Sequence, residues 1–125
     1  MEINKTSGVV VDSAMMVHTV LGPGLLENAY VVCLAHELGL RGLRSVTQVP
    51  LPVYYAGIAV PLGYRIDLLV EDAVVVEVKA VTTLLPVHEA QLLSYLRLSG
   101  HKLGLLINFH VAHLRDGITR LVNNL

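Results

Sequence analysis

The sequence contains few of the features on which several classes of protein depend. Its single cysteine, Cys33, excludes an internal disulfide and a zinc site built from thiolates. A membrane-spanning helix needs about 20 consecutive apolar residues. The longest uncharged stretch, residues 45–64, contains three prolines and Gly57, which would break such a helix. The opening residues, MEINKTSG, lack the apolar core of a secretory signal, so we expect a cytoplasmic protein without a membrane span.

Charged residues are also scarce. They make up 15% of the chain, against 54% apolar residues, and nine Lys and Arg against ten Asp and Glu give a net charge of -1. The chain therefore lacks the overall positive charge of a protein that coats nucleic acid. An enzyme that uses a local basic site and a bound cation is still compatible with this balance. So large an apolar fraction on a small chain predicts self-association, most simply as a homodimer.

The length and the residue patterns predict one α/β domain. A chain of 125 residues is close to the roughly 150 residues of a typical domain, so we expect a single domain over residues 1–125. Apolar periodicity and the positions of Gly and Pro predict, in chain order, helices over Val9–Leu21 and Leu25–Leu38, two strands between Val46 and Val70 joined by a hairpin turn at Ala56-Gly57, a strand over Val74–Lys79, a helix over His88–Leu98 and a strand over Leu103–Phe109. The tail from Val111 fits either a helix or a strand. The order ααβββαβ predicts an α/β fold with a mixed sheet.

Two carboxylates are expected to face each other in this sheet. Side chains alternate along the strand VVVEVK, so Glu77 and Lys79 lie on the same face. Asp67 occupies the preceding strand, RIDLLV. If residues 71–73 form a three-residue hairpin loop, Asp67 falls directly opposite Glu77.

Facing carboxylates repel each other, so the arrangement needs a cation or a shared proton. Mg²⁺ is typically held by one or two carboxylates together with waters and a phosphate, and Asp67 and Glu77 match that role. Lys79, on the same face, could orient or help to deprotonate an attacking water and offset charge in the transition state. From spacing alone, an ion pair between Lys79 and either carboxylate is the alternative.

Further polar residues lie on the two later helices. Glu27 falls on the apolar stripe of the second helix and is expected to face inward, although a carboxylate in a first turn is also favoured by the helix dipole. His88, Gln91 and Tyr95 can share one face of the third helix. That row of polar side chains could contact a substrate phosphate or simply face solvent.

These residues belong to an ordered set of short motifs that extends from about Val9 to Asn123. The motifs are GLLENAY with Gly24, Glu27 and Tyr30, YRIDLLVED with Asp67, VVVEVKA with Glu77 and Lys79, HEAQLLSYL with Gln91 and Tyr95, and LLINFH near the end. Each motif is weak alone. In this order and spacing, however, the set resembles the GxxExxY protein family, which belongs to the PD-(D/E)XK nuclease-like superfamily. Ile66 replaces the proline of the PD pair, which leaves the ligand Asp67 in place.

The resemblance implies a restriction-endonuclease-like core, with a mixed central β-sheet flanked by helices and a hairpin that presents the acidic residues at a cleft. In active members, the residues equivalent to Asp67 and Glu77 bind Mg²⁺ or Mn²⁺, often with a backbone carbonyl, here that of Val78. The residue equivalent to Lys79 assists the water that hydrolyses a phosphodiester. A helix glutamate, here Glu27, supports the metal shell.

The resemblance also implies substrate contacts. Gln91 and Tyr95 match a QxxxY element that contacts the nucleic acid strand in exonuclease-type members. Tyr30 is grouped with them as a candidate substrate-binding residue. Independently of the resemblance, His88 is a candidate group near the cleft, because it can share a helix face with Gln91. The remaining histidines are scattered along the chain, and no zinc site is expected from them.

Three functions are compatible with these features. The favoured hypothesis is a Mg²⁺-dependent nuclease that acts on DNA, with Asp67, Glu77, Lys79 and Glu27 as its catalytic residues. The second is a non-catalytic nucleic-acid-binding or assembly module that retains the nuclease fold, since phosphate contacts usually need several Lys or Arg residues. The third is a hydrolase that uses the same metal site on another phosphate-containing substrate.

Overall fold

A five-stranded sheet separates two helical layers. The computed structural model describes residues 1–125. Its elements are α1 (Ile3–Leu21), α2 (Glu27–Leu40), β1 (Ser45–Pro50), β2 (Tyr54–Tyr55), β3 (Ile58–Ala59), β4 (Arg65–Val70), β5 (Val74–Lys79), α3 (Pro86–Ser99), β6 (Leu103–Asn108), a 3₁₀ turn (Leu114–Gly117) and β7 (Ile118–Val122). None of the three helices combines the length and apolar character that crossing a bilayer would require.

The sheet is mixed, as predicted. Its strand order is β1-β4-β5-β6-β7, and β2 and β3 form a separate two-stranded hairpin. β5 and β6 run parallel and are connected through α3, whereas the other neighbouring strands are antiparallel. The parallel pairing brings the carboxyl ends of β5 and β6 to the same edge, where Lys79 lies beside Asn108. This confirms the predicted α/β architecture.

The alternation of side chains along β5 divides the core in two. Val74, Val76 and Val78 pack with α1 and α2 in the larger apolar cluster. Val75 packs with α3 in the smaller cluster, on the opposite face of the sheet. A strand covered on both faces needs an almost continuous apolar sequence. Glu77 is therefore an exception, because it lies on the α3 face and is only 4% exposed.

Apart from small shifts at the ends of α2, α3 and β6, the observed elements differ from the predicted ones at three places. α1 begins at Ile3 rather than Val9, because the Glu2 carboxylate caps its first turn by accepting hydrogen bonds from the next backbone amides. The turn at Ala56-Gly57 joins only the short strands β2 and β3, while β1 pairs with β4 across this hairpin. The ambiguous tail forms the 3₁₀ turn and β7, which pairs with β6.

Candidate active site

Asp67 and Glu77 lie where β4 and β5 separate. The pairs Val70–Val74 and Leu68–Val76 define a register in which the next residues along the strands are Asp67 and Glu77. The predicted register and its loop over residues 71–73 are therefore confirmed. Regular pairing ends at this point.

The side chain of Asp67 replaces a backbone hydrogen-bond acceptor that regular pairing of β4 and β5 would supply. Its Oδ2 accepts a hydrogen bond from the Val78 amide at 2.9 Å. On the other side of β4, the residue opposite Asp67 is Gln48, which adopts a left-handed backbone with φ 54° and interrupts the pairing of β1. Asp67 is thus left out of both regular ladders, and its carboxylate is held against the β5 backbone. Gln48 was not among the predicted site residues, because its sequence pattern is that of an ordinary strand residue.

The electrostatics of Glu77 distinguish it from an ordinary core residue. Its Oε1 is buried and has no hydrogen-bond partner. Burial, which is the largest cause, together with the hydrogen bond to Asp67 and the charge of Asp67 raises the pKa of Glu77 from 4.5 to about 9. The charge of Lys79 acts in the opposite direction, but it is the smaller influence. Glu77 therefore retains its proton at neutral pH when no cation is present.

The donor atoms at this position suit a divalent cation. A bound cation would partner the orphaned Glu77 Oε1 and replace the proton that Glu77 retains. The N–H and C=O of one strand residue point to the same side, so the Val78 carbonyl faces β4 beyond the last regular pair, as its amide does. No third His, Cys, Asp or Glu joins Asp67 and Glu77 in a ligating group.

Lys79 is half-buried on the same strand face, at the mouth of an open groove. The groove has a volume of about 540 Å³ and is lined by Lys79 together with Val87, His88, Ala90, Gln91 and Ser94 of α3. Structure and sequence therefore agree that Lys79, His88 and Gln91 meet at one cleft. His88 also accepts a hydrogen bond from the Leu85 amide at its Nδ1, which caps α3.

Gln91 and Tyr95 form a hydrogen-bonded pair on α3. Gln91 Nε2 donates to the Tyr95 hydroxyl at 3.2 Å. Burial raises the pKa of Tyr95, and the charges of Glu77 and Asp67 raise it further, so its hydroxyl lies within electrostatic reach of the acidic pair. The structure thus pairs the two residues of the predicted QxxxY element on α3, with Gln91 in the groove that Lys79 lines.

A family model for the PD-(D/E)XK nuclease superfamily matches residues 4–121, which is nearly the whole chain. The protein belongs to this superfamily. Searches of curated proteins and of solved structures found no match. PD-(D/E)XK nucleases generally depend on a divalent metal, and nucleic acid is the partner that the superfamily suggests. The narrower resemblance to GxxExxY proteins stays a prediction.

Of the predicted PD-(D/E)XK site residues, Glu27 is placed differently from our expectation. It is the first residue of α2, and its side chain is exposed rather than inward-facing. Its helix nevertheless begins near the edge of the sheet at which β5 ends. Tyr30, in the same first turn, stacks on Phe109, whose amide donates to the Lys79 carbonyl at 2.9 Å. The first turn of α2 therefore lies near the carboxyl end of β5, in the layer opposite α3, and Glu27 forms no ligating group with the two carboxylates.

The structure corrects the substrate-binding role predicted for Tyr30. Tyr30 is 0% exposed, and its ring stacks on Phe109 with centroids 4.4 Å apart. Its hydroxyl donates to the Gly22 carbonyl at 2.7 Å and accepts from the Leu25 amide at 3.1 Å. The loop between these residues includes Gly24, whose φ of 105° disfavours side chains. The Gly and Tyr of the motif thus stabilise the loop that leads into α2.

A Tyr30→Phe substitution is expected to lower the free energy of unfolding by about 1–3 kcal/mol, because it leaves the Gly22 carbonyl and the Leu25 amide without their partner. Urea denaturation measures this change. The matched control is Tyr55→Phe, at a tyrosine that is 76% exposed, for which we expect no loss. Unchanged stability together with weaker DNA binding in Tyr30→Phe would restore the substrate-binding interpretation.

Two further residues near this cleft were not among the predicted site residues. Ser94 lines the groove beside Lys79. It lies three residues after Gln91, so helical spacing could have identified it. Tyr64 contacts Tyr95 edge-on, with ring centroids 6.3 Å apart. Its position depends on the path of the segment that contains the β2–β3 hairpin. No local feature of the sequence predicts that path.

Proposed function

We propose that this protein is a Mg²⁺- or Mn²⁺-dependent nuclease that hydrolyses phosphodiester bonds of DNA. The observation that carries the proposal is the buried, unpartnered Oε1 of Glu77 beside Asp67, next to the groove that contains Lys79. A simple ion pair between Lys79 and a carboxylate accounts for this arrangement less well. No such pair within 4.0 Å is formed, and Glu77 keeps a raised pKa despite the nearby lysine.

Asp67, Glu77 and the carbonyl of Val78 would hold the metal. When bound, the ion would supply a Lewis acid that stabilises negative charge on the reacting phosphate. Glu27 would support the metal shell from the α2 side, since it is exposed and shares its helical turn with Tyr30, which stacks on Phe109 beside the end of β5. These four groups use only oxygen donors, the type that Mg²⁺ and Mn²⁺ prefer.

The other groove residues would act on the substrate and the water. Lys79 would orient the attacking water and offset the charge that develops on the phosphate oxygens. Gln91 and Tyr95, linked by their hydrogen bond, would position the strand beside the carboxylates. His88 lines the same groove and would stabilise this arrangement through its cap on α3.

The test is cleavage of single-stranded and double-stranded DNA with Mg²⁺ or Mn²⁺, and with EDTA as the metal-free reference. We expect metal-dependent cleavage that slows by roughly a hundredfold in Lys79→Ala, the lower end of the range for a general acid or base. Lys102→Ala is the matched control, since this exposed lysine lies outside the groove. Circular dichroism checks that both variants fold. Absence of metal-dependent cleavage in the folded wild type would refute the proposal.

A non-catalytic nucleic-acid-binding module is the second candidate, and the scarcity of cations favours it. Among Lys and Arg residues, only Lys79 lines the groove, whereas phosphate contacts normally use several such residues. DNA binding without cleavage in the same experiment would select this function. The homodimer and the cytoplasmic location stay predictions from the sequence.

A further inference from the structure

Tyr64 forms one wall of a second recess beside the groove. It directly precedes β4, and 39% of its surface is exposed. Its ring meets that of Tyr95 edge-on, with an angle of 67° between the ring planes. The recess has a volume of about 270 Å³ and is lined by Val53, Tyr64, Gln91, Ser94, Tyr95 and Leu98. Small-molecule pockets usually have roughly 300–1,000 Å³, so this one suits a single planar ring system.

The recess and the groove with Lys79 form one path along α3. Both are lined by Gln91 and Ser94, which occupy successive turns of that helix. A strand lying along this face would therefore have a phosphate near Lys79 and a neighbouring base near Tyr64.

Charge and aromatic surface are distributed unequally along this path. Lys79 is the only Lys or Arg that lines either cavity. A duplex presents one negative charge per roughly 1.7 Å, and proteins bind it mainly through several phosphate contacts. Unpaired bases can instead stack on aromatic rings, which provides affinity without further cations and with little sequence preference.

We propose that Tyr64 is a base-stacking residue, and that it directs the active site to single-stranded DNA rather than to an intact duplex. The inference rests on the proposed function, in which nucleic acid is the substrate, and adds a contact beyond Gln91 and Tyr95. An unpaired base would enter the recess between Tyr64 and α3. A base held within a duplex cannot do so while it remains stacked on its neighbours.

The test is binding without cleavage, in EDTA, of a short single-stranded oligonucleotide that contains 2-aminopurine and of the duplex of the same sequence. We expect the single strand to bind at least roughly tenfold more tightly and its 2-aminopurine fluorescence to be quenched on binding. Tyr64→Leu should weaken single-strand binding by roughly tenfold to a hundredfold and abolish quenching. Tyr64→Phe, which keeps the ring, should retain both. Tyr55→Leu is the control, because Tyr55 is exposed but lines neither cavity.

Three results would contradict base stacking by Tyr64. Equal or tighter duplex binding, unchanged binding in Tyr64→Leu, or an equal loss in Tyr55→Leu would overturn the inference. If Tyr64→Leu does not fold, quenching in the wild type and the ratio of single-strand to duplex affinity still decide the question. Metal-dependent cleavage is measured separately. Cleavage of DNA together with unchanged binding in Tyr64→Leu would reject base stacking and leave the proposed nuclease function intact. Binding that depends on Tyr64 without any cleavage would reject the nuclease function and leave base stacking intact.

Discussion

A Glu77→Gln substitution is expected to stabilise the metal-free protein at pH 7 by on the order of 3 kcal/mol. Burial and the neighbouring Asp67 raise the pKa of Glu77 from 4.5 to about 9 in the folded protein, and unfolding restores the ordinary value. Between these two pH values, the folded state keeps a proton that the unfolded state has lost, so the free energy of unfolding falls as the pH rises. Each pH unit in this range costs about 1.4 kcal/mol. Glutamine is neutral at every pH, so the variant does not lose stability in this way.

The measurement is urea denaturation in EDTA at pH 5, 7 and 8.5. The difference in the free energy of unfolding between Glu77→Gln and the wild type should be small at pH 5. It should grow with pH, because only the wild type loses stability as the pH rises. Glu89→Gln is the matched control, at an exposed glutamate of α3, and should change the free energy of unfolding by less than about 0.5 kcal/mol. A Glu77→Gln variant that is less stable than the wild type at pH 8.5 would contradict the raised pKa of Glu77.

The arrangement of the carboxylates could be predicted because it depends on local rules. The loop over residues 71–73 is short, and its length fixes which residues of β4 and β5 face each other. Glu71 and Asp72 adopt left-handed backbone conformations, with φ values of 53° and 51°, which close the turn. Once the register is fixed, alternation alone places Glu77 and Lys79 on one face.

The positions of Glu27 and Tyr30 could not be predicted in this way. Helical periodicity identifies which residues share a stripe, but it does not show where the first turn of a helix extends beyond the core. Glu27 lies in such a turn and is exposed, although residues further along its stripe are buried. Tyr30 is buried because it stacks on Phe109, a residue far away in the sequence. A motif does not distinguish a tyrosine that supports a loop from one that contacts substrate.

The pairing of β1 with β4 depends on still longer-range contacts. The intervening residues form the β2–β3 hairpin, whose Ala56-Gly57 turn is a strong local signal. That signal correctly predicted a turn, but it could not show that the outer strands pair with each other around the hairpin. The path of this segment also places Tyr64 against Tyr95. The recess that Tyr64 and Tyr95 line is therefore a product of tertiary structure.

Mg²⁺ affinity is expected to rise by about tenfold per pH unit, and thus by roughly a thousandfold between pH 6 and pH 9. The ion must displace the proton that Glu77 retains up to about pH 9, so low pH favours the proton and high pH favours the metal. The dependence should flatten above the pKa of Glu77, where no proton is left to displace.

Isothermal titration calorimetry in two buffers of different ionisation enthalpy counts the released protons directly. At pH 7 we expect close to one proton per Mg²⁺ in the wild type, because the raised pKa keeps Glu77 protonated before the ion binds. Glu77→Gln should abolish binding, since it removes one of the two carboxylates while the protein remains folded. Glu89→Gln should bind as the wild type does. An affinity that is constant from pH 6 to pH 9 would show that the metal binds elsewhere, because no site that includes Glu77 could load without losing its proton.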